Sequence, residues 1–238
     1  MPRSVLIATP TFSHHPAWEY CGALAQTSAL LTQAGVIPII RFHPGLQFIE
    51  VARNIFCVEM LQGLPECQDL FFIDDDVGRW PPHKVLEFIN RPEPVVGGVY
   101  PARSDEPHYN VQIKLIDGKV QERHGLYRVA QLPTGFMRIK REVIEHFAAK
   151  SPTYGWTQVG GDIRTLFNIF DRGVVNGEFW GEDAMFCQRC LEDDIEMWVD
   201  PDIEFSHRGS KAWKGSFKPS LDNFLVQRSD LVQAAVGQ

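Results

Sequence analysis

The sequence predicts an α/β fold: a single domain with a mostly parallel sheet flanked by helices, and a smaller mixed or antiparallel β part. Three observations predict it. Over residues 1–100, short apolar runs alternate with segments of helical periodicity, the pattern of βαβ units. After Pro101 the spacing changes to that of hairpins and short strands. Between these parts no linker, low-complexity stretch or internal repeat intervenes.

Residues 5–9 read as a first buried strand, closed by Thr9-Pro10-Thr11. Residues 18–33 carry apolar side chains at helical spacing (Trp18, Cys21, Leu24, Ala25, Leu31), and Gly35 is the expected stop. A strand over 36–42 follows. A helix over 48–61 comes next, with Ile49, Ala52, Ile55, Phe56 and Met60 on one face. Arg53 and Asn54 interrupt that face, either as surface residues or as groups reaching the sheet's edge. Residues 70–73 form a continuous apolar run, a third strand buried on both faces. Residues 82–90 fit a short helix with Pro82 in its first turn, and 95–100 a fourth strand carrying Gly97-Gly98.

In the second part, 111–116 and 120–122 flank Asp117-Gly118, the signature of a tight hairpin. Strands are expected at 127–131 and 134–139, then a helix over 141–149. Residues 151–176, rich in glycine and aromatics, are irregular and read as a flexible or substrate-facing segment. A helix over 181–191 opens on Glu182-Asp183, charges suited to a helix N-terminus. Short strands at 196–199 and 203–206 and an amphipathic helix over 221–236 complete the chain.

The chain has 238 residues, enough for a sizeable core, and 44% of them are hydrophobic, which argues against disorder. A net charge of −7 disfavours a broad nucleic-acid-binding face and makes a nucleic-acid acceptor unlikely, though a local basic groove is compatible with it. Five scattered cysteines do not form a disulfide framework, and Cys187 and Cys190 read as core thiols. No apolar run is long enough to span a membrane and no ordinary signal peptide is present, so a cytoplasmic protein is expected.

The chemistry concentrates at 70–76, Leu-Phe-Phe-Ile-Asp-Asp-Asp. The aspartates fall at the carboxyl end of a buried strand, the edge where open α/β sheets bind ligands. In extended chain Asp74 and Asp76 share one side and Asp75 takes the other. Converging carboxylates repel unless a cation lies between them, and Mg²⁺ or Mn²⁺ suits such an oxygen site. The alternative is a polar loop that caps the next helix. Three further groups matter if they meet this edge. Trp180-Gly181-Glu182-Asp183 is either a carboxylate over a pocket or a helix cap. His207 is either a ligand or a structural histidine. Lys211-Ala212-Trp213-Lys214-Gly215 is either a loop over phosphates or a solvated turn.

In this order the motifs resemble the GT-A class of nucleotide-sugar-dependent glycosyltransferases, in particular family-2-like members. They are a strand ending Thr-Pro-Thr, an apolar strand ending Asp-x-Asp, Thr-Gly-Phe-Met, Gly-Glu-Asp before a helix, and a late His-x-Gly. The likeness runs from Val5 to about Lys214. It implies a Rossmann-like sheet, with 1–100 as the nucleotide-binding half and 101–238 as the acceptor and catalytic half. It implies a donor, first of all a UDP-sugar, held by Thr9, Pro10, Thr11, Arg53, Asp74, Asp75, Lys211 and Lys214. Mn²⁺ or Mg²⁺ would be ligated by Asp74, Asp76 and His207. Trp180, Gly135 and Gly181 would line the sugar and acceptor site. Asp183, with Glu182 beside it, would be the general base of an inverting transfer to a hydroxyl acceptor. Three consecutive aspartates leave the register open, so Asp75 could share the metal. Two other functions use similar residues: a metal-dependent nucleotidyltransferase or phosphohydrolase, and a non-catalytic nucleotide-sugar binding module.

Overall fold

A computed structural model describes residues 3–157 and 161–236, with side chains described as far as residue 228. The first half follows the sequence closely. β1 (Ser4–Thr11), α1 (Trp18–Gln33), β2 (Ile37–Pro44) and α2 (Ile49–Val58) open the chain, and α2 runs on through a π-helical turn, Glu59–Gly63. β3 (Cys67–Ile73), the two-residue β4 (Val77–Gly78), α3 (Pro82–Asn90) and β5 (Val95–Gly98) follow. α1 stops at Gly35, whose φ of 77° is a conformation glycine adopts without strain.

The second half is built from shorter pieces. These are β6 (Gln112–Ile113), β7 (Leu115–Ile116), β8 (Lys119–Val120), β9 (Glu122–Arg123), β10 (Leu126–Gln131), β11 (Phe136–Lys140) and α4 (Arg141–Lys150). Next come β12 (Thr153–Thr157), β13 (Ile163–Phe167), β14 (Gly173–Val175), β15 (Glu178–Trp180) and α5 (Glu182–Glu192). β16 (Met197–Asp200), β17 (Phe205–Arg208), β18 (Ala212–Gly215) and α6 (Lys218–Val236) end the chain. Asp117 and Gly118, both at positive φ, close β7 onto β8 as the Asp-Gly pair requires. The expected helix over 221–236 is α6, though its side chains beyond 228 lie outside the described residues.

A nine-stranded sheet draws on both halves, in the order β2-β1-β3-β11-β5-β16-β10-β6, with β9 also on β10. β1 pairs parallel with β2 and β3, and β5 with β16. The sheet is mixed, because β11 from the second half inserts antiparallel between β3 and β5. Local periodicity carries no information about such a long-range insertion. Side chains of β3 alternate between two cores: Leu70 and Phe72 pack under α2, α4 and α5, while Phe71 and Ile73 pack under α1 and α3. This two-sided burial is why the strand reads as one unbroken apolar run.

Three readings change. The buried face of α1 is Glu19, Tyr20, Ala23, Leu24, Thr27 and Leu31; Trp18 is 67% exposed, and Cys21 and Ala25 also face out. Arg53 and Asn54 are buried. The stretch 151–176 is more regular than expected: β12 and β13 form a hairpin, and Leu166, Ile169 and Phe170 are buried behind it. Residues 158–160 of that stretch lie outside the described residues. The five cysteines are free thiols, Cys187 and Cys190 both buried.

β4 positions the site to come. It leaves the aspartate turn, which the Val77 N–H closes on the Asp74 carbonyl at 3.1 Å, and pairs with β17 so that His207 lies opposite Val77. Its Gly78 lies flat against the start of α1. A Cβ there would meet Glu19 Cβ at 2.6 Å, Glu19 C at 2.7 Å and Tyr20 N at 2.8 Å. Two of these are backbone atoms that cannot rotate away. Gly78→Ala should therefore lower stability by about 1–3 kcal/mol in urea denaturation; an unchanged midpoint would show that β4 does not depend on this close approach.

Candidate active site

The carboxyl edge of β3 carries Asp74, Asp75 and Asp76, and each finds a different environment. Asp74 takes both oxygens to the Arg53 guanidinium, at 3.1 and 3.3 Å. Arg53, 1% exposed on α2, also donates through Nε to Glu182 at 3.3 Å. One buried cation thus ties the aspartate turn to the start of α5. The pair of carboxylates holds the Arg53 charge firmly in place, although burial opposes it. Burial pushes the Asp74 carboxyl up to about 6, against the pull of Arg53, with Asp76 and Glu182 adding to the rise. Asp74 is therefore ionised at neutral pH but accepts a proton as pH falls through about 6.

Gly135, at the mouth of β11, is needed here. A Cβ would strike the Tyr100 hydroxyl and stand 2.6 Å from Asp74 Oδ2. The Asp74 N–H donates to the Gly135 carbonyl at 3.0 Å. Burial, and next the charge of Asp74, hold the Tyr100 phenol well above the usual range, with Asp76 and Asp183 adding to the rise and Arg53 opposing it.

Asp76 points the other way. Its carboxylate is paired with Arg103, a half-exposed residue of the loop after β5, and its Oδ1 lies 3.7 Å from His207 Nε2. That is too long for a hydrogen bond. It is short enough for both atoms to reach one ion at about 2.1 Å. The other ring nitrogen, Nδ1, is 2.8 Å from the Pro101 carbonyl. A carbonyl only accepts, so Nδ1 carries the hydrogen and leaves Nε2 as the nitrogen available to a cation beside Asp76. This is how histidine ligands are usually oriented. Asp74 is held by Arg53 instead, and among the described residues no three His, Cys, Asp or Glu side chains gather as a ready metal cluster. The set that fits a cation is Asp76 with His207, which suits an ion that completes its shell with phosphate and water. Asp75 is partly buried, and burial raises its carboxyl.

Two cavities flank this edge. One, of about 190 Å³, is lined by Pro10, Phe12, Leu46, Gln47, Ile49 and the three aspartates. Thr9 and Thr11 are buried beside it, the Thr9 hydroxyl bonded to Tyr20. The other, of about 450 Å³, is lined by Asn110, Gln131, Glu178, Phe179, Trp180, Gly181 and Asp183. Asp183 Oδ1 accepts from the Ala184 N–H at 2.7 Å. Burial, and next the charge of Glu182, raise its carboxyl above the ordinary range. Lys211 is paired with Asp105, whose Oδ1 also accepts from Trp213 Nε1 at 3.1 Å. Lys214 is exposed on β18, in register with Ser206 beside His207.

No protein-family model matches the chain, and no curated protein matches it in sequence. Among solved structures it is similar to A197 from STIV, at 18% identity over 91% of each chain and a TM-score of 0.51. That likeness shows a shared fold. A glycosyltransferase involved in the glycosylation of the major capsid of PBCV-1 aligns over 60% of this chain and 62% of its own. Its identity is 11% and its TM-score 0.32, too slight to carry weight. The mixed α/β sheet is consistent with the GT-A-like arrangement expected from the motifs.

Sequence reasoning missed Arg103, Tyr100 and Phe12. Arg103 lies in Pro101-Ala-Arg-Ser, where no periodicity marks it; only the fold brings it to Asp76. Phe12, 64% exposed, directly follows Thr-Pro-Thr, and an apolar residue left outside a strand was its one available signal.

The two arginines should behave oppositely when removed. Arg53→Met leaves two carboxylates without their buried cation and should cost about 3–5 kcal/mol. Arg103→Ala breaks a largely exposed pair and should change stability by less than about 1 kcal/mol. Chemical denaturation of both variants checks this, and equal losses would contradict the assignment of Arg53 as the structural tie.

Proposed function

We propose that the protein transfers a sugar from a nucleotide diphosphate donor, a UDP-sugar in the first instance, to a hydroxyl acceptor with inversion at the anomeric carbon. The observation that carries this reading is the placement of His207 Nε2 3.7 Å from Asp76 at the sheet edge, on the same aspartate turn that Arg53 ties, through Asp74 and Glu182, to the start of the helix carrying Asp183. Asp76 and His207 would hold Mn²⁺ or Mg²⁺. A divalent ion bound there would offset the charge that develops on the diphosphate as it leaves.

The chain's own groups account for the rest. The smaller cavity, with Pro10 and Phe12 on its wall, receives the nucleoside. Arg103 gives up Asp76 when the donor enters and turns to the phosphates, and Lys214 adds a second positive charge. In the larger cavity Trp180 and Phe179 present apolar faces to a sugar ring. Asp183 takes the proton of the acceptor hydroxyl as its oxygen bonds to the anomeric carbon and the bond from that carbon to the phosphate oxygen breaks. Glu182, held by Arg53, keeps its place and is not the base.

Two measurements test this. UDP should raise the melting temperature only with Mn²⁺ present, and Asp76→Ala should abolish the rise; a rise that persists in Asp76→Ala removes the cation from this edge. Asp183→Asn should leave that rise intact but lower turnover about 10²–10⁴-fold. Because the base must be ionised and its carboxyl is raised, kcat/KM should fall with decreasing pH at a point above the ordinary carboxylate range. Unchanged turnover in Asp183→Asn would exclude Asp183 as the base.

A further inference from the structure

A third cavity, of about 390 Å³, lies on the opposite side of the aspartate turn. Trp18, Glu19, Gly22, Gln26, Arg79 and Glu204 line it. Segment 74–80 divides it from the donor cavity: Asp74 to Asp76 line the one, Arg79 and Trp80 the other. Three features of its wall lack a role in the fold.

Trp18 is 67% exposed at the start of α1, although an indole is among the largest apolar surfaces a chain can bury. Gly22 stands one turn on from Trp18, inside the helix. Its φ is not positive and a Cβ would meet nothing within 4 Å, so neither conformation nor packing calls for glycine. Glycine in a helix interior costs about 0.5–1 kcal/mol against alanine. What it provides is an open floor between Trp18 and Gln26, which share one helix stripe at spacings of four. Glu19 is 5% exposed; its Oε1 accepts from Arg208 at 2.9 Å, while its Oε2 is buried with no hydrogen-bond partner. A buried carboxylate oxygen calls for a donor.

We propose that this cavity binds a neutral saccharide unit, at a subsite separate from the transfer cleft. The indole offers a flat face to the C–H side of a pyranose ring. Glu19 Oε2 accepts from a ring hydroxyl, and the Gln26 amide and Arg79 guanidinium supply donors to its other oxygens. The charges select for neutrality: Glu19 is balanced by Arg208, and the cavity wall carries one residue of each sign in Arg79 and Glu204. An organic cation would satisfy the indole but not Glu19 Oε2, and it would meet Arg79. The floor of the subsite is linked to the cation edge, because Arg208 holds Glu19 with its side chain and the Asp76 carbonyl, at 2.8 Å, with its N–H. The subsite does not depend on the transfer reaction proposed above.

Saturation-transfer NMR on the full chain, with maltotriose, mannotriose and triacetylchitotriose as probes, tests it. At least one trisaccharide should receive saturation at its ring C–H protons. Trp18→Ala and Gly22→Leu should each weaken binding about tenfold or more, while Trp180→Ala, in the transfer cleft, leaves this signal in place. Trp18 is exposed and Gly22 has open space, so Trp18→Ala should keep the wild-type melting temperature and Gly22→Leu should keep or raise it. The proposal is overturned if no probe binds, if binding survives Trp18→Ala, if Trp180→Ala or UDP with Mn²⁺ removes it, or if tetramethylammonium takes the site in a Trp18-dependent way. Failure of sugar transfer in the donor experiments leaves these outcomes unaffected.

Discussion

Three adjacent carboxylates at the end of a doubly buried strand are the constraint the rest of the site answers. Their charges cannot be left uncompensated at the edge of an apolar core. Arg53 holds Asp74 from inside the fold, on a stretch of α2 that is buried from Val51 to Val58. Asp76 is answered from outside, by Arg103, with His207 Nε2 left 3.7 Å from it. The first pairing is built in, while the second uses a half-exposed side chain that can leave. A site that must accept and release a charged group needs one fixed counter-charge and one exchangeable one.

That division also separates the two carboxylates that open α5. Glu182 is bonded to Arg53; Asp183 is not, and burial, with the charge of Glu182 beside it, lifts its carboxyl. Neighbouring residues of the same chemical type thus receive different partners from their surroundings alone. Arg53 is central to this, since it bonds one carboxylate on each side of the cleft.

Much of this was legible in the sequence because it depends on local pattern. The unbroken run 70–73 revealed two-sided burial, Pro82 and Gly35 marked helix ends, and Asp117-Gly118 marked its hairpin. Asp76, His207 and Asp183 stood out because they follow or begin elements whose ends were readable. What stayed hidden was set by tertiary placement. β11 enters between β3 and β5 from sixty residues away in sequence. Arg53 looked like a break in an apolar face and is instead among the most buried side chains. Trp18 looked like core and is exposed, because the face of α1 that packs inward is set by Glu19, Tyr20, Ala23 and Leu24. Asp74, expected beside the metal, is drawn to Arg53, a preference no spacing rule could reveal.

The central claim is that Asp76 and His207 together bind a divalent ion that replaces Arg103. A crystal of the protein grown with MnCl₂ and UDP, measured at the manganese absorption edge, tests it most directly. The account predicts an anomalous peak in contact with Asp76 and His207 Nε2, with Arg103 displaced from Asp76. Density that leaves the Arg103–Asp76 pair intact, with manganese elsewhere or absent, would contradict it.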